Sequence, residues 1–112
     1  MKKLASICAG LLLALSTAAF AEEHAVAALE HASSALEHGK AGHNSVLVEH
    51  AKTALDQSLA ASLVTKSIVK NHIDAAADLL QKAVDEGNLD HTDAASKVLE
   101  EAIVHLKAAN KK

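Results

Sequence analysis

The chain has 112 residues, enough for one small domain, and contains no Pro, Trp or Tyr and a single cysteine, Cys8. This composition excludes a disulfide framework, a thiolate zinc site and an iron–sulfur cluster. The formal net charge of −3, with histidine neutral, and the lack of aromatic stacking residues apart from Phe20 argue against nucleic-acid binding.

Residues 1–21 have the pattern of a secretory signal peptide. Met1 to Lys3 is charged, Leu4 to Leu15 is apolar, and Ala19 to Ala21 forms an Ala-x-Ala cleavage site. The apolar run is shorter than the roughly 20 residues of a membrane anchor. We therefore expect cleavage before Glu22, a periplasmic protein and no membrane association afterwards. The mature chain, 22–112, would carry nine Lys against 14 acidic residues, a charge of −5.

The mature segment has a helical pattern throughout. In its first part, a heptad register that begins at Ala25 puts histidines on the edge of an apolar stripe, at His24, His31 and His38. Gly39 and Gly42 mark a turn, and glycines in this chain lie where we expect helices to stop. A second helix then continues the register with His43 and His50 on the same edge, and Asn44 or Ser45 is its predicted N-cap. The predicted core positions of this first hairpin are Ala25, Ala28, Leu29, Ala32, Ala35, Leu36, Leu47, Val48, Ala51, Ala54 and Leu55.

An offset of 48 residues aligns this hairpin with the rest of the chain. Gly39 aligns with Gly87, and His43 with His91. The sequence thus predicts an all-α fold, an antiparallel four-helix bundle made of two repeated hairpins at about 23–62 and 71–110. We expect a bend within 62–70, but a single helix over 44–86, with hairpins splayed or exchanged between chains, is the alternative. The predicted core of the second hairpin is Ile73, Ala76, Ala77, Leu80, Ala83, Val84, Leu99, Ala102, Ile103, Leu106 and Ala109.

The spacing of the histidines predicts how they meet across each hairpin. Counted from the turn, histidines recur every seven residues along both helices. A residue on one helix can therefore be paired with the residue at the same height on the other. The expected pairs are His38 with His43, His31 with His50, His24 with Gln57, Glu86 with His91, and His72 with His105, while Leu79 and Val98 take the middle position of the second hairpin. Successive pairs are about 10.5 Å apart along the helix axis. We therefore expect separate, partly open sites rather than one closed cage.

Two imidazoles can supply two nitrogen ligands to a divalent ion, with carboxylate or water completing the shell. Nitrogen and oxygen ligands suit Cu(II), Ni(II) and Zn(II), and the Irving–Williams order puts Cu(II) first. We expect several ions per chain and no catalytic activity, because no nucleophile with an adjacent base is present. The candidate metal ligands are, in order of preference, His31, His38, His43 and His50, then His24, His72 and His105, and last His91, which faces a carboxylate.

Four glutamates directly precede histidines, at Glu23, Glu30, Glu37 and Glu49. Adjacent helical residues do not face each other, so these carboxylates are expected to be solvated rather than to share an ion with the neighbouring imidazole. An alternative function for the chain is that of a small exported scaffold with incidental metal affinity. The oligomer expected is a monomer or a weak homodimer.

The run EHAVAALEHASSALEHGKAGHNSVLVEHAKTALDQSLAAS, residues 23–62, resembles the small metal-binding protein family. The most specific parts are the turn from His38 to His43 and the following Glu49 to Lys52. The resemblance extends over essentially the whole mature chain and implies a periplasmic helical bundle that buffers or sequesters several divalent ions, notably copper. The chain departs from the family pattern where Gln57, Leu79, Glu86 and Val98 replace expected histidines.

Overall fold

The protein is described by a computed structural model that covers the backbone of residues 2–111 and the side chains of residues 20–111. Four helices follow one another: α1 Lys2–Lys40, α2 Asn44–Val64, α3 Ser67–Asn88 and α4 Thr92–Ala109. Residues 2–111 contain no strand, so the all-α prediction is confirmed. The predicted signal peptide falls almost entirely outside the residues with described side chains, and it stays a prediction.

The four helices form a bundle in which each helix packs against two neighbours, α1 on α2, α2 on α3, α3 on α4, and α4 on α1. The core is thin because alanine occupies most inward positions, with leucines such as Leu47, Leu80, Leu99 and Leu106 filling the space between them. All predicted core positions are buried except Leu29, Leu36, Leu55 and Ala109, which are partly buried at the margins of the core. The heptad register therefore identified the buried faces correctly.

The break between α2 and α3 lies at Thr65 and Lys66, within the predicted bend. The alternative of one long helix over 44–86 is therefore wrong. Ser67 takes a φ of 59°, and the Thr65 hydroxyl donates to the Ala61 carbonyl at 2.5 Å. A β-branched residue whose hydroxyl bonds back to its own helix favours termination at this point. The chain consequently reverses here without Gly or Pro.

The two turns at the opposite end of the bundle have the same backbone geometry. Gly42 has a φ of 82° and Asp90, 48 residues later, a φ of 60°. In the first turn the amide of His43 donates to the carbonyl of His38 at 2.8 Å, and the corresponding bond of the second turn is 2.9 Å long. A residue in the left-handed conformation lets the amides that follow it donate hydrogen bonds to carbonyls at the end of the helix, which otherwise have no partner within the helix. Each turn thereby brings the two residues that flank it into contact, His38 with His43 and Glu86 with His91.

The predicted helix stops at Gly39 and Gly87 are confirmed to within one residue, since α1 ends at Lys40 and α3 at Asn88. Both glycines lie buried in the last turns of these helices. A Cβ on Gly39 would overlap the Ser96 hydroxyl and come within 2.5 Å of Leu47 Cδ1. A Cβ on Gly87 would come within 2.5 Å of Val48 Cγ2. Glycine is needed at both positions because a neighbouring helix approaches closely.

Asn44 is the first residue of α2 rather than its N-cap, and the cap position falls on His43, which makes no capping bond through its side chain. The Asn44 amide donates to the Gly87 carbonyl at 2.8 Å and to Asp90 Oδ1 at 3.1 Å. Its oxygen accepts from the Thr92 hydroxyl at 2.9 Å. The prediction of a cap at Asn44 or Ser45 was wrong, and the Asn44 side chain instead makes a tertiary contact that joins the two turns.

Candidate metal centre

The first hairpin brings four histidines into two pairs along the edge between α1 and α2. The Nδ1 atoms of His31 and His50 are 3.1 Å apart, and those of His38 and His43 are 3.2 Å apart. Both contacts join the residues predicted to lie at equal height. His43 is exposed while the other three are partly buried, so the edge is open to solvent.

The second hairpin forms one further pair of imidazoles. His72 on α3 and His105 on α4 have their Nδ1 atoms 3.1 Å apart, and both rings are partly buried. The position that would hold a middle pair carries Leu79, which is partly buried, and Val98, which is buried. These two side chains pack against the core, so this hairpin has one imidazole pair where the first has two.

Two more histidines face oxygen atoms instead of a second imidazole. His24 Nδ1 lies 2.5 Å from Gln57 Oε1, and His91 Nδ1 lies 2.9 Å from Glu86 Oε2. Each contact confirms the predicted neighbour. Each offers a single nitrogen ligand together with an amide or carboxylate oxygen, which makes it a poorer match to a nitrogen-preferring ion than an imidazole pair.

The spacing within the imidazole pairs fits chelation of one ion. Two nitrogens bound at about 2.05 Å are separated by about 2.9 Å at a 90° ligand angle and by about 3.3 Å at the tetrahedral angle. The observed separations of 3.1 to 3.2 Å lie between these values. In the absence of metal, one ring of each pair can donate its Nδ1 proton to the other. When both rings carry their proton on Nε2 instead, both Nδ1 lone pairs face the same point.

Each pair is an incomplete metal site within one chain. Across the part of the chain that the structure describes, no three or more His, Cys, Asp or Glu side chains gather in an arrangement that could hold an ion. The glutamates that precede the histidines are exposed, as expected for solvated residues: Glu23, Glu30, Glu37 and Glu49. A bound ion would therefore keep coordination positions for water or for another molecule.

The two pairs of the first hairpin lie closer together than the helical rise predicts. His38 and His50 belong to different pairs, yet their ring centroids are 5.7 Å apart and their planes differ by 5°. Helical side chains lean toward the N-terminus of their own helix, so these two lean toward each other across antiparallel helices. The four rings form one continuous series, here called the histidine row, in the order His43, His38, His50, His31.

Comparison with known proteins supports the same chemistry. A search of curated proteins found no match to this chain. The family model described as small metal-binding protein matches residues 1–109, which includes every histidine and all four helices. Because the match extends over nearly the whole chain and the histidines meet in pairs, this chain belongs to the small metal-binding protein family.

Proposed function

We propose that this protein binds several divalent transition-metal ions in the periplasm and buffers or sequesters them, with Cu(II) preferred over Ni(II) and Zn(II). The observation that supports this proposal is the 3.1 to 3.2 Å separation of Nδ1 atoms in three imidazole pairs. Such pairs supply nitrogen ligands without sulfur, and Cu(II) binds such ligands most strongly in the divalent series.

The open coordination of each pair favours buffering over permanent storage. An ion held by two imidazoles and by exchangeable ligands can be passed to a stronger site without unfolding of the protein. The acidic surface of the chain, with a formal charge of −3, raises the local concentration of cations. We therefore propose a binding role without catalysis.

The test is equilibrium dialysis of the purified protein against Cu(II) at neutral pH. The proposal expects more than one ion per chain and a large loss of uptake when His31, His38, His43 and His50 are all replaced by alanine. The matched control replaces Glu23, Glu30, Glu37 and Glu49 by glutamine on the same two helices, and it should retain the stoichiometry. Equal uptake by the histidine variant and the unaltered protein would refute the proposal and favour the scaffold function.

The proposed location needs its own experiment, because metal binding does not depend on it. Cell fractionation followed by mass spectrometry should find the protein in the periplasm with Glu22 as its first residue. Recovery of the intact chain from the cytoplasm would contradict export. The dialysis result would then still stand as a test of binding.

A further inference from the structure

The end of the bundle that lies opposite the two turns exposes large apolar side chains. This end, here called the linker end, consists of residues 22–23, 62–70 and 107–111. Leu63 is 87% exposed and Ile68 is 68% exposed, on either side of the break between α2 and α3. Leu59, one helical turn before Leu63 and on the same face, is 50% exposed. No helix packs over these side chains.

A cavity of about 440 Å³ opens at the same end. It lies between the start of the bundle part of α1, the break after α2 and the C-terminal end of α4, and apolar atoms supply most of its walls. The side chains that give it this character include Ala25, Val64, Val69, Ile73 and Ala109. The apolar character of the linker end therefore extends inward from its tip.

Basic residues surround this apolar tip. Four lysines lie there, Lys66, Lys70, Lys107 and Lys111, against the acidic residues Glu22, Glu23 and Asp74, of which Asp74 pairs with Lys70 at 2.6 Å. The turn end has the opposite balance, with one lysine, Lys40, against Glu37, Asp85, Glu86, Asp90 and Asp93. The linker end therefore combines exposed leucine and isoleucine with an excess of lysine, whereas the turn end, where Leu89 is exposed, carries an excess of acidic residues.

We infer that the linker end, contrary to the sequence-based expectation of no membrane association, docks on the surface of a lipid bilayer that carries anionic headgroups. Leucine and isoleucine at the tip can enter the boundary between headgroups and acyl chains, while lysines placed beside them reach the phosphates with their flexible stems. Basic residues near an anionic surface add attraction that falls off within a Debye length. The charge of the tip complements such a surface, and the acidic turn end is repelled from it.

The course of α1 supports the same orientation. The helix enters the bundle at the linker end, since Ala21 and Glu22 border the cavity there. In the precursor, the apolar run from Leu4 to Leu15 is joined to the folded part at this end. None of the helices, within the described part of the chain, has the length and apolar character needed to cross a bilayer. The inferred contact is therefore between the surface of the linker end and the surface of the bilayer.

This orientation has a consequence for the histidine row. Two of its members, His38 and His43, flank the first turn, at the end of the bundle that faces away from the bilayer. The metal pairs would stay accessible to ions and to partner molecules in solution. None of the proposed metal ligands lies at the linker end, so docking can be tested separately from metal binding.

The absence of Trp and Tyr from the chain permits a direct test. Leu63→Trp introduces a single indole at the tip, and Leu89→Trp introduces one at the turn end, where Leu89 is 64% exposed. Both proteins are mixed with vesicles of phosphatidylglycerol and phosphatidylcholine. The inference expects a blue shift of the indole emission for Leu63→Trp and no shift for Leu89→Trp. In the Leu63→Trp background, Lys66→Gln with Lys111→Gln should weaken binding about tenfold, and added salt should weaken it further.

Three results would overturn the inference. One is equal shifts for the two indoles, since the linker end would then have no special contact. The second is an equal response to vesicles of phosphatidylcholine alone, since the lysines would then not select an anionic surface. The third is a blue shift of Leu63→Trp that appears without vesicles and grows with protein concentration, because a second copy of the chain would then cover the tip.

Discussion

His38 on α1 and His50 on α2 belong to different imidazole pairs, but their rings lie parallel with centroids 5.7 Å apart. His50 thus contacts both its own partner His31 and the neighbouring pair. His31 has only one of these contacts among the described rings. The two pairs of the first hairpin are therefore neighbours in contact rather than isolated sites.

The contact predicts unequal effects of two alanine substitutions. His50→Ala should reduce Cu(II) uptake more than His31→Ala, because it removes a ligand from one pair and a packing neighbour from the other. Titration calorimetry with Cu(II) can compare the number of ions bound and their affinities. Identical isotherms for the two variants would show that the His38 and His50 contact does not influence binding.

The isolated pair of the second hairpin permits a double-mutant cycle. His72→Ala, His105→Ala and the double variant should each lose the same single ion, because either substitution leaves only one imidazole at the site. The Nδ1 separation of 3.1 Å is the basis for this expectation. Additive losses of affinity in the cycle would mean that the two rings bind separate ions. His91→Ala, which disrupts an imidazole–carboxylate contact, should have the smaller effect.

We expect a gain of metal binding at the position where His24 faces Gln57 instead of a second imidazole. His24 Nδ1 lies 2.5 Å from Gln57 Oε1, so Gln57→His would place a second imidazole at the position of the amide. The variant should bind about one more Cu(II) per chain than the unaltered protein in equilibrium dialysis. The control is Gln81→His on α3, where the exposed glutamine donates to Asp85 at 3.0 Å and faces no imidazole among the described residues. An equal gain in both variants would indicate non-specific binding.

The close helix contact at Gly39 predicts a loss of stability on Gly39→Ala. Alanine favours helix over glycine by about 1 kcal/mol, but the added Cβ would overlap the Ser96 hydroxyl and press on Leu47. Overpacking of this kind costs about 1 to 3 kcal/mol, so we expect a net loss of about 1 kcal/mol. Thermal unfolding followed by circular dichroism should show a lower Tm by roughly 4 to 8 °C.

Ser96 provides the control for that substitution. Its hydroxyl is buried and has no hydrogen-bond partner among the described residues, so Ser96→Ala alone should stabilise the protein by about 1 kcal/mol. The cost of Gly39→Ala should be smaller in the Ser96→Ala background, because one of the two overlaps is gone. An unchanged cost would assign the destabilisation to Leu47 or to the backbone.

The ion pair near the linker predicts a pH-dependent contribution to stability. The pKa of Asp74 lies below its usual value of 3.8, and the largest cause is the hydrogen bond from Lys70. The hydrogen bond from Ser62 and the charge of Lys70 lower this pKa further. A carboxyl whose pKa is lowered by folding stabilises the fold above its unfolded pKa, and this contribution is lost as the pH falls through the folded pKa.

Asp74→Asn should therefore lower the Tm at neutral pH, and the difference from the unaltered protein should fade as the pH drops below 3.8. The effect should be modest and weakened by salt, because Lys70 and Asp74 are 43% and 47% exposed. Melting curves from pH 7 to pH 2 would test this. Asp78→Asn, one turn further along α3 on an exposed residue, is the control. A difference that persists at pH 2 would exclude the ionised carboxyl as its cause.

The sequence alone was sufficient to predict the pairing of residues across each hairpin. The interval of seven residues fixes height along the helix, and the heptad register fixes the face, so both follow from the regular geometry of α-helices. His31 with His50 and His72 with His105 were found by this reasoning. The position of the break near Thr65 was also predictable within a few residues, because β-branched residues replace alanine there.

Only the tertiary structure decided the features that depend on neighbouring helices. His38 contacts His50 because side chains on antiparallel helices lean in opposite directions. The spacing of residues along a helix axis does not describe this lean. The role of Asn44 depends on Gly87 and Asp90, more than 40 residues away in the chain. Glycine is required at position 39 because the Ser96 hydroxyl on α4 lies where a Cβ would be. Local periodicity predicts which face of a helix is buried, but the atoms that meet across the bundle depend on how the helices pack.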